Sequence, residues 1–222
     1  MKRLLIVGAG GFGREVLCWA RDVETTQSEW RIGGFLDANL AALDGFGVPL
    51  EILGDPAKFA PDEMDLCICA IGDPTTKQRV TADLAARGAR FATLIHPSVI
   101  MGADCRLGTG CIVCPRVVLT TNVTLGKFVV LNFSATVGHD ARIGDWCTIS
   151  CHADITGKTR LGEAVFAGSH ACVLPGLTVG DRAVVGAGTV VTQNVPTGST
   201  MFGVPAKLIW AGTAKQHPTR SS

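Results

Sequence analysis

The sequence carries almost no net charge. Twenty Lys and Arg face nineteen Asp and Glu, so neither a basic nucleic-acid surface nor an acidic tail is written into it. No apolar run approaches the roughly 18 residues that suggest a membrane-spanning helix. No zinc pattern is present either. The nine cysteines are an odd number, and only Cys67 with Cys69 and the lone Cys111-x-x-Cys114 lie close together. Cys111 and Cys114 fall inside a repeat, so no metal is expected, and reduced thiols in a cytoplasmic protein are the simpler reading. Met1-Lys2-Arg3 followed by Leu4-Leu5-Ile6-Val7 looks like the start of a secretory signal, but the run breaks at Gly8-Ala9-Gly10-Gly11 without a cleavage context. What is left is a globular chain of 222 residues, 47% hydrophobic, enough for one large domain or two modest ones.

A repeat governs the second half. From Ile95 to Pro196 the chain divides into seventeen hexads without an insertion: IHPSVI, MGADCR, LGTGCI, VCPRVV and so on to VTQNVP. Position 1 is Ile, Met, Leu or Val in every hexad except the one that begins with Ala167, position 5 is mostly small, and position 2 is Gly in nine. A period of six is not helical. It suits a short strand followed by a bend, with the Gly after the aliphatic expected to supply the bend. Three hexads close a triangular coil, and successive coils stack by backbone hydrogen bonds about 4.8 Å apart. The pattern resembles the hexapeptide signature of the left-handed parallel β-helix, and the left hand is what that resemblance implies, since parallel crossovers are otherwise right-handed in roughly 98% of cases.

The first part reads differently. Short apolar runs at Arg3–Val7, Arg31–Leu36 and Asp65–Ile71 alternate with helical stretches at about Arg14–Val23 and Thr75–Arg87, which predicts a small Rossmann-like parallel α/β sheet. Gly8, Gly10 and Gly13 form G-x-G-x-x-G between the first strand and the first helix, where backbone N–H groups can approach a phosphate. Asp37 closes the next strand, where an acid can bind a ribose hydroxyl. A nicotinamide cofactor is one reading. A nucleotide-diphosphate sugar fits the same cradle, in a domain of only about half the dinucleotide fold's size and with no hydride-transfer site downstream. The expected division is a nucleotide-sugar-binding domain at 1–94, a β-helix at 95–210 and a tail at 211–222. Past Gln216 the tail is expected to be disordered.

Five histidines are available: His96, His139, His152, His170 and His217. His139 occupies position 3 of its hexad, at an outward corner, beside Asp140, which can orient the ring and favour its charged form. The other reading of His139 is a solvated corner residue. His152 and His170 share position 4 one coil apart and should stack, as a surface ladder, a trimer contact or a metal pair without a third ligand. His96 at the domain junction and His217 in the tail have no catalytic context. Cys105, Cys111 and Cys147 are small core residues, and Cys151 has no neighbour that lowers its pKa. Arg14, Lys77 and Arg79 are candidates for phosphate contacts, although surface charges of this kind are usually only solvated. Trp210 is a candidate to pack on the last coil or on adenine.

With these landmarks in order (Gly8-Ala9-Gly10-Gly11-Phe12-Gly13, Phe35-Leu36-Asp37, Ala70-Ile71-Gly72, Leu131-Asn132, Gly138-His139-Asp140, Val185-Gly186-Ala187-Gly188 and Gly203-Val204-Pro205-Ala206-Lys207) the chain resembles the bacterial nucleotide-sugar acetyltransferases. These include the UDP-N-acetylbacillosamine-pathway and GDP-perosamine N-acetyltransferases and sialic acid O-acetyltransferase-like proteins. The resemblance implies a homotrimer with acetyl-CoA between neighbouring β-helices. It implies His139 as catalytic base with Asp140 and Asn132 beside it, the sugar nucleotide at Gly10, Gly11, Phe12, Asp37 and Gly72, and acetyl-CoA near Thr148, Ser169 and Ala187. The expected reaction is N-acetylation of a nucleotide-linked amino (dideoxy) sugar. The alternatives are O-acetylation of a sialic-acid-like sugar or polysaccharide precursor, and a non-catalytic scaffold. Three departures stand out. Thr148 replaces a histidine found in many members, Ser150-Cys151-His152 replaces Ser-Pro-Gly, and Phe12 replaces a polar residue of some relatives.

Overall fold

The computed structural model describes residues 1–27 and 29–211. The tail from 212 onward, with its expected disorder and His217, lies outside the described residues. β1 (Lys2–Val7), α1 (Gly11–Gln27), β2 (Trp30–Leu36), β3 (Asp65–Cys69), α2 (Pro74–Ala86) and β4 (Arg90–Phe91) build a four-stranded parallel sheet in the order β2-β1-β3-β4. Central β1 is buried on both faces, as a sheet covered on both sides requires. Leu4 and Ile6 pack with Val16, Leu17 and Ala20 of α1, while Leu5 and Val7 pack with Leu84 of α2. Asp73 caps α2 by accepting from Thr76 N at 2.7 Å, with Pro74 starting the helix.

The β-helix begins at Leu94–Ile95, which pairs in parallel with Ile112–Val113. Its first face continues through Val130–Leu131, Thr148–Ile149, Phe166–Ala167 and Val184–Val185. The second runs from Ile100–Met101 through Thr136–Val137 to Val190–Val191, and the third from Arg106–Leu107 through Arg142–Ile143 to Thr178–Val179. Positions 1 and 5 fill the interior, from Val113 and Val117 up to Val191 and Val195. An antiparallel pair, Ser199–Phe202 with Lys207–Ala211, closes the top. Ala211, assigned to the tail by sequence, ends this strand. Trp210 pairs with Thr200 and stays half exposed. Among the described residues no helix is long and apolar enough to cross a membrane.

The bend is made differently from the expectation. Position 4, not the Gly at position 2, takes the left-handed conformation: twelve non-glycine residues from Asp104 to Arg182 have φ between 53° and 62°. Each costs about 1–2 kcal/mol. The turn aims the strained residue's N–H at the coil below, as when Asp140 N donates to Thr121 O and Lys158 N to His139 O. At the first coil hydroxyls take this place: Arg116 N donates to Ser98 Oγ and Gly110 N to Thr93 Oγ1. The position-2 glycines serve close approach. A Cβ on Gly144 would stand 2.5 Å from Gly162 O and one on Gly102 2.2 Å from Thr120 O.

The α/β domain lies on the first face. Leu94, Ile112, Cys114 and Val130 belong to the same apolar cluster as Leu4, Ile6 and Val16. Cys111 faces the β-helix core instead, so the two cysteines of C-x-x-C point into different clusters. At the edge, His96 bonds to Ser98 Oγ at 2.7 Å and to Asp22 of α1 at 3.2 Å. From α2, the buried Lys77 donates through Nζ to Cys147 O at 3.0 Å and Thr148 Oγ1 at 2.8 Å. Beside it Trp146 Nε1 donates to Thr81 Oγ1 at 3.1 Å, and Arg182 donates to Gln78. Lys77 therefore is a junction residue and not a phosphate ligand. Burial pushes its amine down to about 8, against partial support from Cys69, Cys147, Cys111 and Asp73.

Gly144→Ala should lower unfolding free energy by about 1–3 kcal/mol, because the methyl meets backbone, whereas Lys158→Gly at φ 61° should be neutral or stabilising by up to about 1 kcal/mol. Urea melts of both variants check the two roles. The Lys77 amine ionises in the unfolded chain up to about 10.5 but only to about 8 when folded, so the unfolded state binds more protons between those values and stability rises with pH there. The thiols do the reverse above about 9, since burial raises Cys67, Cys111 and Cys147 to about 12, 11 and 12. Wild type should therefore gain about 1 kcal/mol relative to Lys77→Met between pH 7 and pH 9, read from paired denaturation curves; parallel curves would refute the assignment.

Candidate active site

His139 stands at the corner between the second and third faces, after the strand Thr136–Val137 and before Arg142–Ile143. The backbone turn that makes Asp140 left-handed, φ 62°, brings its carboxylate back over the preceding ring. His139 Nδ1 meets Asp140 Oδ2 at 2.8 Å, with 58% and 45% of the two side chains exposed. The hydrogen bond from His139 holds the Asp140 carboxyl below the usual carboxylate range, with further help from Asn122 and Lys158. With the Nδ1 proton directed at Asp140, the Nε2 lone pair is free to accept one.

Nε2 lies against Gly157, the same hexad position one coil higher. A Cβ there would stand 2.6 Å from Nε2 and 2.9 Å from Cδ2 and Cε1. The repeat contains the signal for this residue, since 139 and 157 are one coil apart, but only the packed coils show that the ring needs the missing side chain. Asn132 turns Oδ1 to its own neighbour, accepting from Phe133 N at 2.8 Å, and makes no hydrogen bond to His139.

The other candidates fall into two places. Ser169 and Ala187 occupy position 3 of successive coils at the corner between the first and second faces, half-buried and exposed respectively. Thr148 is not with them. It is 4% exposed, on the first face beneath α2, and its hydroxyl accepts from Lys77. The residue expected beside acetyl-CoA is thus covered by the chain's own α/β domain, because Lys77 reaches across the junction to it. His152 and His170 do stack, centroids 4.9 Å apart and planes 6° apart, with the edge of Phe133 against His152. Among the described residues no group of three or more metal-ligating side chains forms around them. Cys151, hydrogen-bonded to Ser169, has its thiol raised by burial, which disfavours a thiolate nucleophile.

In the α/β domain, Gly8 takes φ +99° and a Cβ on Gly13 would stand 2.0 Å from Gly8 O, while Gly10 and Gly72 have open space around them. The glycine loop therefore enters α1 with its first-turn N–H groups pointing outward, and that turn carries no acid. Phe12 contributes only its backbone there. Its ring packs edge-on to Trp19 at 6.1 Å and against the core. Asp37 shapes the loop: Oδ2 accepts from Ala9 N at 2.7 Å and Oδ1 from Asn39 N at 2.8 Å. Arg14 lies 3.6 Å over the Phe46 ring. A cleft of about 400 Å³ opens at the C-terminal ends of β1 and β2, lined by Asp37, Ile71 and Arg79 among others.

Residues 3–84 match the family model described as the PglD N-terminal domain, and residues 158–193 match the hexapeptide repeat of succinyl-transferase. The chain is 31% identical over 135 residues to the GDP-perosamine N-acetyltransferase of Escherichia coli O157:H7, covering 57% of this chain and 58% of the relative. Its matches span a little over half the length of the curated relatives. Among solved structures it is 30% identical to the acetyltransferase domain of PglB from Neisseria gonorrhoeae FA1090, TM-score 0.84, over 94% of this chain and 100% of that one. It is also 30% identical to PerB from Caulobacter crescentus, solved in complex with CoA and GDP-perosamine, TM-score 0.83, over 94% and 97%.

Proposed function

This chain belongs to the bacterial nucleotide-sugar N-acetyltransferase family, and from that premise we propose that it transfers an acetyl group from acetyl-CoA to the amine of a nucleotide-linked 4-amino-4,6-dideoxy hexose. The observation that carries the reading is the exposed His139–Asp140 pair, with Nε2 free beneath Gly157. The amine attacks the thioester carbonyl, the C–N bond forms, and the nitrogen's proton passes to His139 Nε2. The C–S bond then breaks and the CoA thiolate takes up a proton. Asp140 holds the imidazole in the tautomer that accepts at Nε2 and steadies the imidazolium. Backbone N–H groups of the coil stabilise the oxyanion. Asn132 stands at the corner between the first and second faces, one face away from His139, so it comes near this base only across the contact between two copies.

A single chain separates the parts. The α/β domain lies on the first face, and His139 stands at the corner opposite that face. We therefore take the working unit to be a homotrimer, in which one copy's His139 meets a sugar nucleotide held by a neighbour. Gly10, Gly11 and the Phe12 backbone hold the diphosphate, and Asp37 and Gly72 shape the nucleotide's seat. Ser169 and Ala187 border the groove that receives acetyl-CoA, while Thr148, covered by Lys77, does not face it. Thr148 is satisfied by Lys77, so its replacement of the histidine is not evidence of a dead site.

Free-thiol release from acetyl-CoA, with nucleotide-linked amino sugars and matched hydroxy sugars as acceptors, tests the reaction. An alkali-stable amide product is expected, and an alkali-labile ester formed only with hydroxy sugars would replace N- by O-acetylation. His139→Ala should lower kcat by about two to four orders of magnitude; an unchanged rate would remove it from the mechanism. Gly157→Ala, which pushes the ring aside, should lower kcat roughly ten- to a hundred-fold while leaving the melting temperature near that of wild type.

A further inference from the structure

The cleft in the α/β domain is unsuited to phosphate. Its charged side chains are Asp37, Asp55, Asp83 and Arg79, three carboxylates to one guanidinium, while Leu36, Ile71 and Val80 give it apolar walls. The backbone N–H donors nearby are already spent on those carboxylates: Ala9 and Asn39 donate to Asp37, and Ala57 donates to Asp55 Oδ1 at 2.8 Å. The diphosphate therefore belongs at the glycine loop and the first turn of α1. The cleft beside it is left for a flat, apolar-faced group that offers hydrogen-bond donors.

Asp55 is the carboxylate prepared to meet such donors. Its carbonyl accepts from Lys58 N and Phe59 N, and its Oδ1 from Ala57 N. This turn fixes the residue while Oδ2 is not used by any hydrogen bond of the described residues. Asp83 is less suitable, being about half exposed and drawn toward Arg79 at 3.9 Å. Of the common nucleobases, guanine presents two adjacent donors, N1–H and the 2-amino group, which a carboxylate can accept together. Uracil and thymine present one N–H between two carbonyl oxygens, and both oxygens would face negative charge. Resting on the reading of this domain as a sugar-nucleotide site, we propose that the cleft selects guanine through Asp55, so that the acetyl acceptor is a GDP-linked amino sugar.

Isothermal titration of the full chain with GDP, UDP and dTDP tests this. GDP should bind about ten-fold or more tightly than either of the others, the usual worth of a two-point base contact. Asp55→Asn should weaken GDP by a similar factor and leave UDP nearly unchanged. Equal affinities, or tighter UDP or dTDP, would overturn the guanine assignment without any variant being needed. So would acetylation of a UDP- or dTDP-linked amino sugar that GDP fails to inhibit, a result that leaves the transfer reaction standing. Binding of none of the three would overturn the assignment and the nucleotide-sugar reading together.

Discussion

Backbone hydrogen bonds between coils one turn apart set the rest of this molecule. They hold only if adjacent coils approach closely at the start of each hexad and bend sharply at its fourth residue. The first condition removes the side chain at position 2 wherever a Cβ would strike the coil above, as at Gly144 and Gly162. The second places position 4 in a strained conformation, offset by an N–H bond to the coil below worth about 1 kcal/mol. Side chains at the corners are consequently fixed in direction by backbone and not by packing. His139 projects from such a corner, and Asp140 turns back on it because the next residue must be left-handed.

The same register decides what each corner can do. Position 3 recurs along one edge, so His139 sits below Gly157, and Ser169 below Ala187. A small residue directly above leaves room for the lower side chain, as Gly157 does for the His139 ring. On the first face the recurrence meets another domain instead of solvent. There Lys77 crosses from α2 to satisfy Cys147 O and Thr148 Oγ1, an arrangement that keeps a cationic donor in an apolar junction at some cost in stability at neutral pH. The junction fixes where the α/β domain lies relative to the β-helix. It also leaves His139 and that domain on separate sides of one prism, which is the physical reason the proposed site draws on more than one copy.

The α/β domain repeats the logic on a smaller scale. Its glycines differ in purpose: Gly8 for a positive φ, Gly13 for contact between helix and strand, Gly10 for open space above the loop. Asp37 binds the loop's own amides and so acts as a brace. The cleft beyond it carries three carboxylates to one guanidinium, a charge balance that disfavours phosphate there.

The sequence by itself determined the hexad period, the inward and outward positions, the alternating strands and helices, and the exposed place of His139 beside Asp140. Each follows from local rules of side-chain size and backbone geometry that repeat along the chain. It placed the bend on the glycines, because glycine is the residue most tolerant of a left-handed turn, and the strain moved to position 4 because only there does the turned N–H find a carbonyl in the coil below. It set Thr148 beside acetyl-CoA and Lys77 and Arg14 near phosphates. Tertiary structure alone decided that Lys77 closes over Thr148, that Arg14 lies on Phe46 and that the Phe12 ring belongs to the core. Those outcomes depend on which face of the β-helix the first domain covers, a contact between residues some seventy positions apart that no local pattern encodes.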